Sequence, residues 1–269
     1  MITDNEFRRI NTFVKSKYGI DLTNKKEIVD GRLSNMLRRE GWDNYSSYMN
    51  AVETDITGRL EKELVNLITT NHTYFMREFE HFDFMRSEIL PFLKEKEAST
   101  HDLRIWCGAA SSGEEPYMIA MLLIEYFGLE HGMWDTKVLA TDISTNVLQT
   151  AINGIYTKEQ ISSIPDNWKR RFFRKIDDGE RFEVTPELKN EVIFRQFNLM
   201  DPFPFRKKMH VIFLRNVMIY FDKETKMQLV KKLYDLLEYG GYLMIGRTET
   251  IDKDDVPFKM IQPSIFRKI

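Results

Sequence analysis

The stretch that decides the fold runs Leu103-Arg104-Ile105-Trp106-Cys107-Gly108-Ala109-Ala110-Ser111-Ser112-Gly113-Glu114-Glu115-Pro116-Tyr117. Its first six residues read as a short buried strand ending in glycine. A loop of small residues follows, and the pattern from Glu115 through Tyr126 is helical. Strand, small-residue loop and helix form the opening unit of an α/β sheet, whose ligands bind beyond the carboxyl ends of the strands. Small residues let the backbone approach a ligand closely, and Pro116 lies in the first turn, where its missing N–H is harmless. The loop is not a dinucleotide fingerprint. It lacks G-x-G-x-x-G, and Glu114 and Glu115 stand where a pyrophosphate would need the helix N-terminus free. A cationic ligand, or one rich in amine and hydroxyl donors, suits it better than a phosphate. The two acids would equally stabilise an ordinary helix start, so the loop alone leaves both readings open.

Downstream, the same rhythm repeats. Residues 137–141 read as a strand ending at Asp142, with a helix from Asn146; residues 211–214 form a strongly apolar strand ending at Arg215-Asn216. Thr225 to Glu238 is helical, with Gly240-Gly241 as its stop, and Tyr242 to Ile245 is a further strand. Strands alternating with helices predict a parallel sheet covered on both faces. Residues about 155–197 break the rhythm. A basic helical run (Trp168 to Phe173), an Asp177-Asp178-Gly179 turn and a strand-like Arg181 to Val184 predict a small antiparallel insert.

Upstream, the first 75 or so residues contain no proline and carry apolar residues at helical spacing: Phe7, Ile10, Phe13 and Val14; Val29, Leu33, Met36 and Leu37; Leu60, Leu64, Leu67 and Ile68. Gly19, Gly41 and Asp43-Asn44 mark breaks. The chain therefore divides into an all-helical domain, residues 1–76, and an α/β domain, residues 77–269, with the β-subdomain insert at about 155–197.

The bulk numbers fit this division. A chain of 269 residues with 42% apolar and 30% charged residues is long enough for two folded units. The formal net charge of -2 lacks the basic excess that phosphate backbones select, which argues against a nucleic-acid partner. Cys107 is the single cysteine; it excludes an intramolecular disulfide and a multi-cysteine zinc site and fits a reducing compartment. No stretch approaches the roughly 20 apolar residues that span a bilayer, and MITDNEFRRI has no signal core. The expectation is a cytoplasmic monomer without membrane insertion. The histidines at 72, 81, 101, 131 and 210 show no metal-ligand spacing, so no metal is expected.

The residues after each strand carry the chemistry. Asp142 stands where an acid accepts ribose hydroxyls, or serves as a helix cap. Asn198-Leu199, ahead of Asp201-Pro-Phe-Pro204, offers both a donor and an acceptor for an adenine edge, or a turn. Arg215-Asn216 at a buried strand tip needs a partner, and a ligand is one.

Three blocks resemble one family in its order: Trp106-Cys-Gly-Ala-Ala-Ser-Ser-Gly-Glu-Glu-Pro-Tyr117, Asn71-His-Thr73-Tyr-Phe-Met-Arg77-Glu78 and Arg215-Asn-Val-Met-Ile-Tyr-Phe-Asp222. The chain resembles the CheR family of chemotaxis receptor methyltransferases over nearly its whole length. It departs from the usual loop at Cys107 and Gly108, where Ser-Ala is frequent; both changes are small. The resemblance implies a helical N-terminal domain joined to a Rossmann-like methyltransferase domain with a small β-subdomain. It implies S-adenosylmethionine as methyl donor and S-adenosylhomocysteine as product. Donor contacts would fall on Asn71, Thr73, Arg77, Ala109, Glu114 or Glu115, Asp142, Asn198, Leu199, Arg215 and Asn216. Arg77 and Tyr220 would line the active site, and glutamate carboxylates on the cytoplasmic helical region of chemotaxis receptors would be the acceptors.

A carboxylate, with an ordinary pKa of about 4.3, is already ionised near pH 7 and needs no general base. The absence of a Ser/His/Asp or Cys/His arrangement is then unsurprising, and the enzyme's work is positioning and desolvation. Arg77 can form a charge-assisted fork with a carboxylate, or pair with Glu78 or Glu80; Tyr220 can donate to the incoming glutamate, or anchor the turn. The stretch 22–39 holds Lys25, Lys26, Arg32, Arg38 and Arg39 against Glu27 and Asp30. Arg32 and Arg39 are seven apart and share a helix face, so Lys25, Arg32, Arg38 and Arg39 are candidates for docking acidic receptor helices. Some members of the family tether a receptor C-terminal pentapeptide through a glycine-rich hairpin loop. The stretch Arg174 to Arg181 lacks that pattern, which argues against tethering. The rival readings are a methyltransferase for another substrate, a non-catalytic module that senses the donor, and a dehydrogenase, the last disfavoured by the missing phosphate fingerprint.

Overall fold

The computed structural model describes residues 1–252 and 256–269. Helices α1 (Asp4–Tyr18), α2 (Lys26–Glu40), α3 (Tyr45–Thr54) and α4 (Arg59–Ile68) come first. A capping box of Thr3 and Glu6 starts α1, another of Asn44 and Ser47 starts α3, and left-handed Gly19 and Gly41 end α1 and α2. The apolar stripes close on one core that includes Ile10, Val14, Leu33, Leu64 and Ile68. Truncating a fully buried member such as Leu33 would cost about 2–5 kcal/mol.

An irregular segment leads to α5 (Glu80–Phe84), which passes through a π-helical turn (Met85–Ile89) into α6 (Leu90–Lys96). The α/β unit follows as β1 (Ile105–Gly108), α7 (Glu114–Phe127), β2 (Val138–Asp142), α8 (Thr145–Asn153), β3 (Ile155–Thr157), α9 (Asp166–Phe172), β4 (Phe173–Ile176), β5 (Arg181–Val184), α10 (Pro186–Lys189), β6 (Val192–Gln196), β7 (Met209–Leu214), α11 (Lys223–Leu236), β8 (Leu237–Ile245), β9 (Phe258–Gln262) and β10 (Ile265–Lys268). The main sheet has the order β6-β2-β1-β7-β8-β10-β9. Alternate residues of β1 serve two cores: Ile105 and Cys107 pack with α5 to α7, while Trp106 packs with α11 and the aromatic rings of Phe197, Phe203 and Phe205. Helices thus cover both faces.

Three expectations need correction. The sheet is parallel only from β6 to β8, since β10 pairs antiparallel with β8 and β9. The short C-terminal hairpin carries no crossover helix, which parallel pairing would require. The antiparallel insert, of order β3-β5-β4, stops before Val192 rather than at 197. Residues 192–196 pair in parallel with β2, setting Gln196 beside Asp142; the apolar run Val192-Ile193-Phe194 gains more from the main sheet than from a small edge. Finally, α11 ends at Leu236, and Gly240-Gly241 lie inside β8 at a register shift opposite Met209 and Val211. Pairing of Leu237 with Met209 overrides the helical pattern of the last residues.

Parallel register aligns Gly108 with Thr141 and Leu214, and Leu214 with Ile245. The carboxyl ends of the four central strands therefore finish along one rim.

Candidate active site

The loop after β1 is held by β2. The Ala110 amide donates to the Thr141 carbonyl at 2.9 Å, and the Ser111 amide donates to Asp142 Oδ2 at 2.8 Å. Asp142 Oδ1 accepts from the Ser144 amide at 2.9 Å. Ala109 and Ser111 adopt left-handed φ values of 57° and 49°, a conformation that costs a non-glycine residue energy and is found at functional sites. Ser111 Oγ donates to the Asn71 carbonyl at 2.9 Å, which ties this loop to the segment after α4. Asp142 is buried; burial pushes its carboxyl pKa up, against the backbone N–H groups that favour the charge.

Above this rim lies a cleft of about 1060 Å³, its open mouth included. It is walled by Asn71, Thr73, Arg77, Ala109, Glu115, Asp142, Asn198, Leu199, Arg215, Asn216 and Tyr220. Of the positions taken from the sequence, only Glu114 lies outside that wall. Its buried carboxylate accepts from Ser112 Oγ at 2.7 Å, and burial raises its pKa. Glu115 is therefore the acid of the pair that lines the cleft. Asn198 reaches the cleft, but its amide nitrogen donates to the Lys17 carbonyl at 2.9 Å and its oxygen accepts from the Met200 amide at 3.1 Å, so it also serves the turn.

At the centre sits Arg215, buried, with its guanidinium between two acids. Nη1 meets Glu115 Oε2 at 2.5 Å; Nη2 meets Glu78 Oε2 at 3.1 Å and the Arg77 carbonyl at 2.7 Å. Burial opposes the charge on Arg215, but Glu115 and Glu78 outweigh it and its pKa is raised. Burial also works against Glu78, yet Arg215 holds its carboxyl below the usual range. Cys107, with its thiol pushed well up by burial, donates to Glu115 Oε1 at 3.1 Å as a packed neutral group. Neither alternative partner of Arg77 is free for it: Glu78 pairs with Arg215 and Glu80 with Arg247. Arg77 instead donates to the His72 carbonyl at 2.8 Å and lies over the Tyr74 ring.

The N-terminal helices close the cleft. Tyr18, Ile20, Leu22 and Lys25 line it, brought there by a bridge of Ile20 to Phe221 and a 2.8 Å bond from the Asp21 amide to the Tyr220 carbonyl. Lys25 Nζ stands 4.1 Å from the centroid of the Tyr220 ring, and burial lowers its pKa. Nothing local in the sequence marks Tyr18, Ile20 or Leu22 as cleft residues, because only the docking of the two domains places them there. Arg32 requires a correction. Its guanidinium donates to the carbonyls of Leu67, Ile68 and Thr69 at 2.9–3.1 Å, capping α4, so it is turned inward and does not share an open face with Arg39. Arg38 and Arg39 are exposed.

The donor set suits a ligand with hydroxyl, ammonium and carboxylate groups. Asp142 and Glu115 supply acceptors, Arg77 and Arg215 supply donors, and the buried Arg215 Nε has no partner among the described residues. S-adenosylmethionine, the donor that the sequence resemblance implies, carries each of these groups.

Comparison with known proteins agrees. Residues 71–266 match the family model "CheR methyltransferase, SAM binding domain" and residues 5–69 match "CheR methyltransferase, all-alpha domain". A chemotaxis protein methyltransferase of Borreliella burgdorferi is 42% identical over 99% of this chain and 95% of its own. Those of Salmonella typhimurium and Escherichia coli are 37% and 36% identical, over 92% of this chain and 84% and 85% of theirs. With its cleft, its helical cover and these relatives over nearly its full length, the chain belongs to the CheR family of S-adenosylmethionine-dependent chemotaxis methyltransferases.

Proposed function

We propose that this enzyme transfers a methyl group to glutamate side-chain carboxylates on the cytoplasmic helical region of methyl-accepting chemotaxis receptors, working in the cytoplasm. The observation that carries this reading is the meeting of Arg77, Tyr220 and Lys25 on one cleft with Glu115 and Asp142. Bound S-adenosylmethionine supplies an activated methyl group on a sulfonium. Two cations and a phenol at the mouth suit an anionic nucleophile. Arg77 and Lys25 draw the carboxylate in, and the Tyr220 hydroxyl donates to the oxygen that does not attack. Ile20, Leu22 and Phe221 exclude water and strengthen each of these interactions.

In this reading residues 1–76 form the helical domain that presents the receptor, and residues 77–269 the transferase domain. Lys25, Arg38 and Arg39 face acidic receptor helices, while Arg32 acts through the integrity of α4. Arg77→Ala and Tyr220→Phe should each lower methyl transfer to a receptor fragment about 10- to 100-fold, the scale of a misplaced reactant. S-adenosylhomocysteine affinity should change little in Tyr220→Phe and should fall less than transfer does in Arg77→Ala. Wild-type transfer in both variants, measured with radiolabelled donor, would overturn the assignment.

A further inference from the structure

Glu249 lies outside the cleft wall, and the sequence reading did not single it out. It is a buried carboxylate, and among the described residues its hydrogen-bond partners are backbone amides rather than a cation. Oε2 accepts from the Gly246 amide at 2.6 Å and the Asn216 amide at 2.9 Å; Oε1 accepts from the Ile219 amide at 3.3 Å. A buried acid satisfied by N–H groups from two chain segments is costly to place and rigid once placed. The segments it joins are the end of β8 and residues 216–219, which lead directly to Tyr220.

The junction has no slack. A Cβ at Gly246 would fall 2.3 Å from Asn216 Nδ2, and Asn216 itself adopts a left-handed φ of 58°. Backbone held in this way persists only where its surroundings over-determine it.

We infer that Glu249 is a positioning residue for methyl transfer, whose carboxylate fixes the strand-tip turn and so aims the Tyr220 hydroxyl into the cleft. The inference rests on the proposed role of Tyr220. The two oxygens divide the work: Oε2 sets Asn216 on the donor side, and Oε1 sets the turn that carries Tyr220.

Glu249→Gln separates them. The amide oxygen takes the position with two short bonds, and the new NH2 then faces the Ile219 amide, donor against donor. The expected result is a kcat reduced about tenfold, S-adenosylhomocysteine affinity within about threefold of wild type, and faster hydrogen exchange confined to the amides near 218–220. The deciding measurement is the double variant with Tyr220→Phe. If Glu249 acts through Tyr220, Glu249→Gln adds little to the loss already caused by Tyr220→Phe. Multiplicative losses, or unchanged exchange at 218–220, would overturn the inference. Wild-type transfer by Tyr220→Phe alone would instead sink the role of Tyr220. Should Glu249→Gln prove unfolded by circular dichroism, Glu249→Asp gives the same test, since its shortened carboxylate cannot serve both segments; full activity in that variant would also overturn the inference.

Discussion

Two charged clusters, each built around a buried group, sit at opposite ends of the same strands. At the carboxyl ends, Arg215 bridges Glu78 and Glu115. At the amino ends, His210 lies 3.2 Å from Glu97 and 3.6 Å from Glu238, while Arg104 pairs with Asp102 and Glu238, and Lys96 with Glu238. Glu97, His210 and Glu238 bring ligand-type atoms within 4.8 Å of one another, a grouping that sequence spacing did not disclose. Yet Arg104 and Lys96 already neutralise these acids, and His210 Nδ1 accepts the Arg104 amide at 3.0 Å. The cluster is satisfied from within. The Arg215 cluster instead opens on a cleft, is flanked by left-handed backbone and keeps Nε without a partner among the described residues. A buried group ringed by ion pairs is common to both; incomplete satisfaction beside a cavity distinguishes the carboxyl end.

The largest expected effect that could break this comparison is Arg215→Ala. It leaves the half-buried Glu78 and Glu115 without their buried cation, and should cost up to about 3–5 kcal/mol in urea unfolding together with the loss of donor binding. Arg104→Leu at the other end should also destabilise, yet leave S-adenosylhomocysteine affinity within about threefold of wild type by calorimetry, since it lies at the far ends of the strands from the cleft. Equal losses of affinity in both variants would erase the distinction.

A smaller effect comes from His81, which is buried behind the cleft with Nε2 2.7 Å from Ser264 Oγ. Burial first, then the charge of Arg215, lowers its pKa from 6.5 to about 4. Between those values the unfolded chain binds more protons than the folded one, so stability falls as pH drops from about 6.5 towards 4. His81→Gln should flatten that part of the stability profile by a measurable fraction; an unchanged profile would mean that His81 is not the titrating group. Smallest of all, Arg38→Glu with Arg39→Glu should raise the receptor KM about two- to fivefold at low salt, with the difference shrinking as salt rises. A KM unchanged at every salt concentration would remove these residues from docking.

Much of this was legible in the sequence because it is local. The loop 108–117, the strand tips at Asp142 and Arg215, and the caps at Gly19, Gly41 and Asn44 each announce themselves within a few residues. What was hidden depends on distance along the chain. Lys25 meets Tyr220, Arg32 turns inward onto α4, and Glu249 gathers amides from residues 216–219 only because tertiary packing brings them together. The helix boundary misread at Gly240-Gly241 has the same origin, since pairing with β7 outweighed local propensity.

The most direct test of the central claim is calorimetric titration of S-adenosylhomocysteine into the wild-type protein and Asp142→Ala. Binding at one site in the wild type, weakened tenfold or more in the variant, is the predicted result for a lost hydrogen bond to a charged group, about 1.5–3 kcal/mol. Undiminished binding in Asp142→Ala, or none in the wild type, would contradict a donor site at the carboxyl ends of these strands.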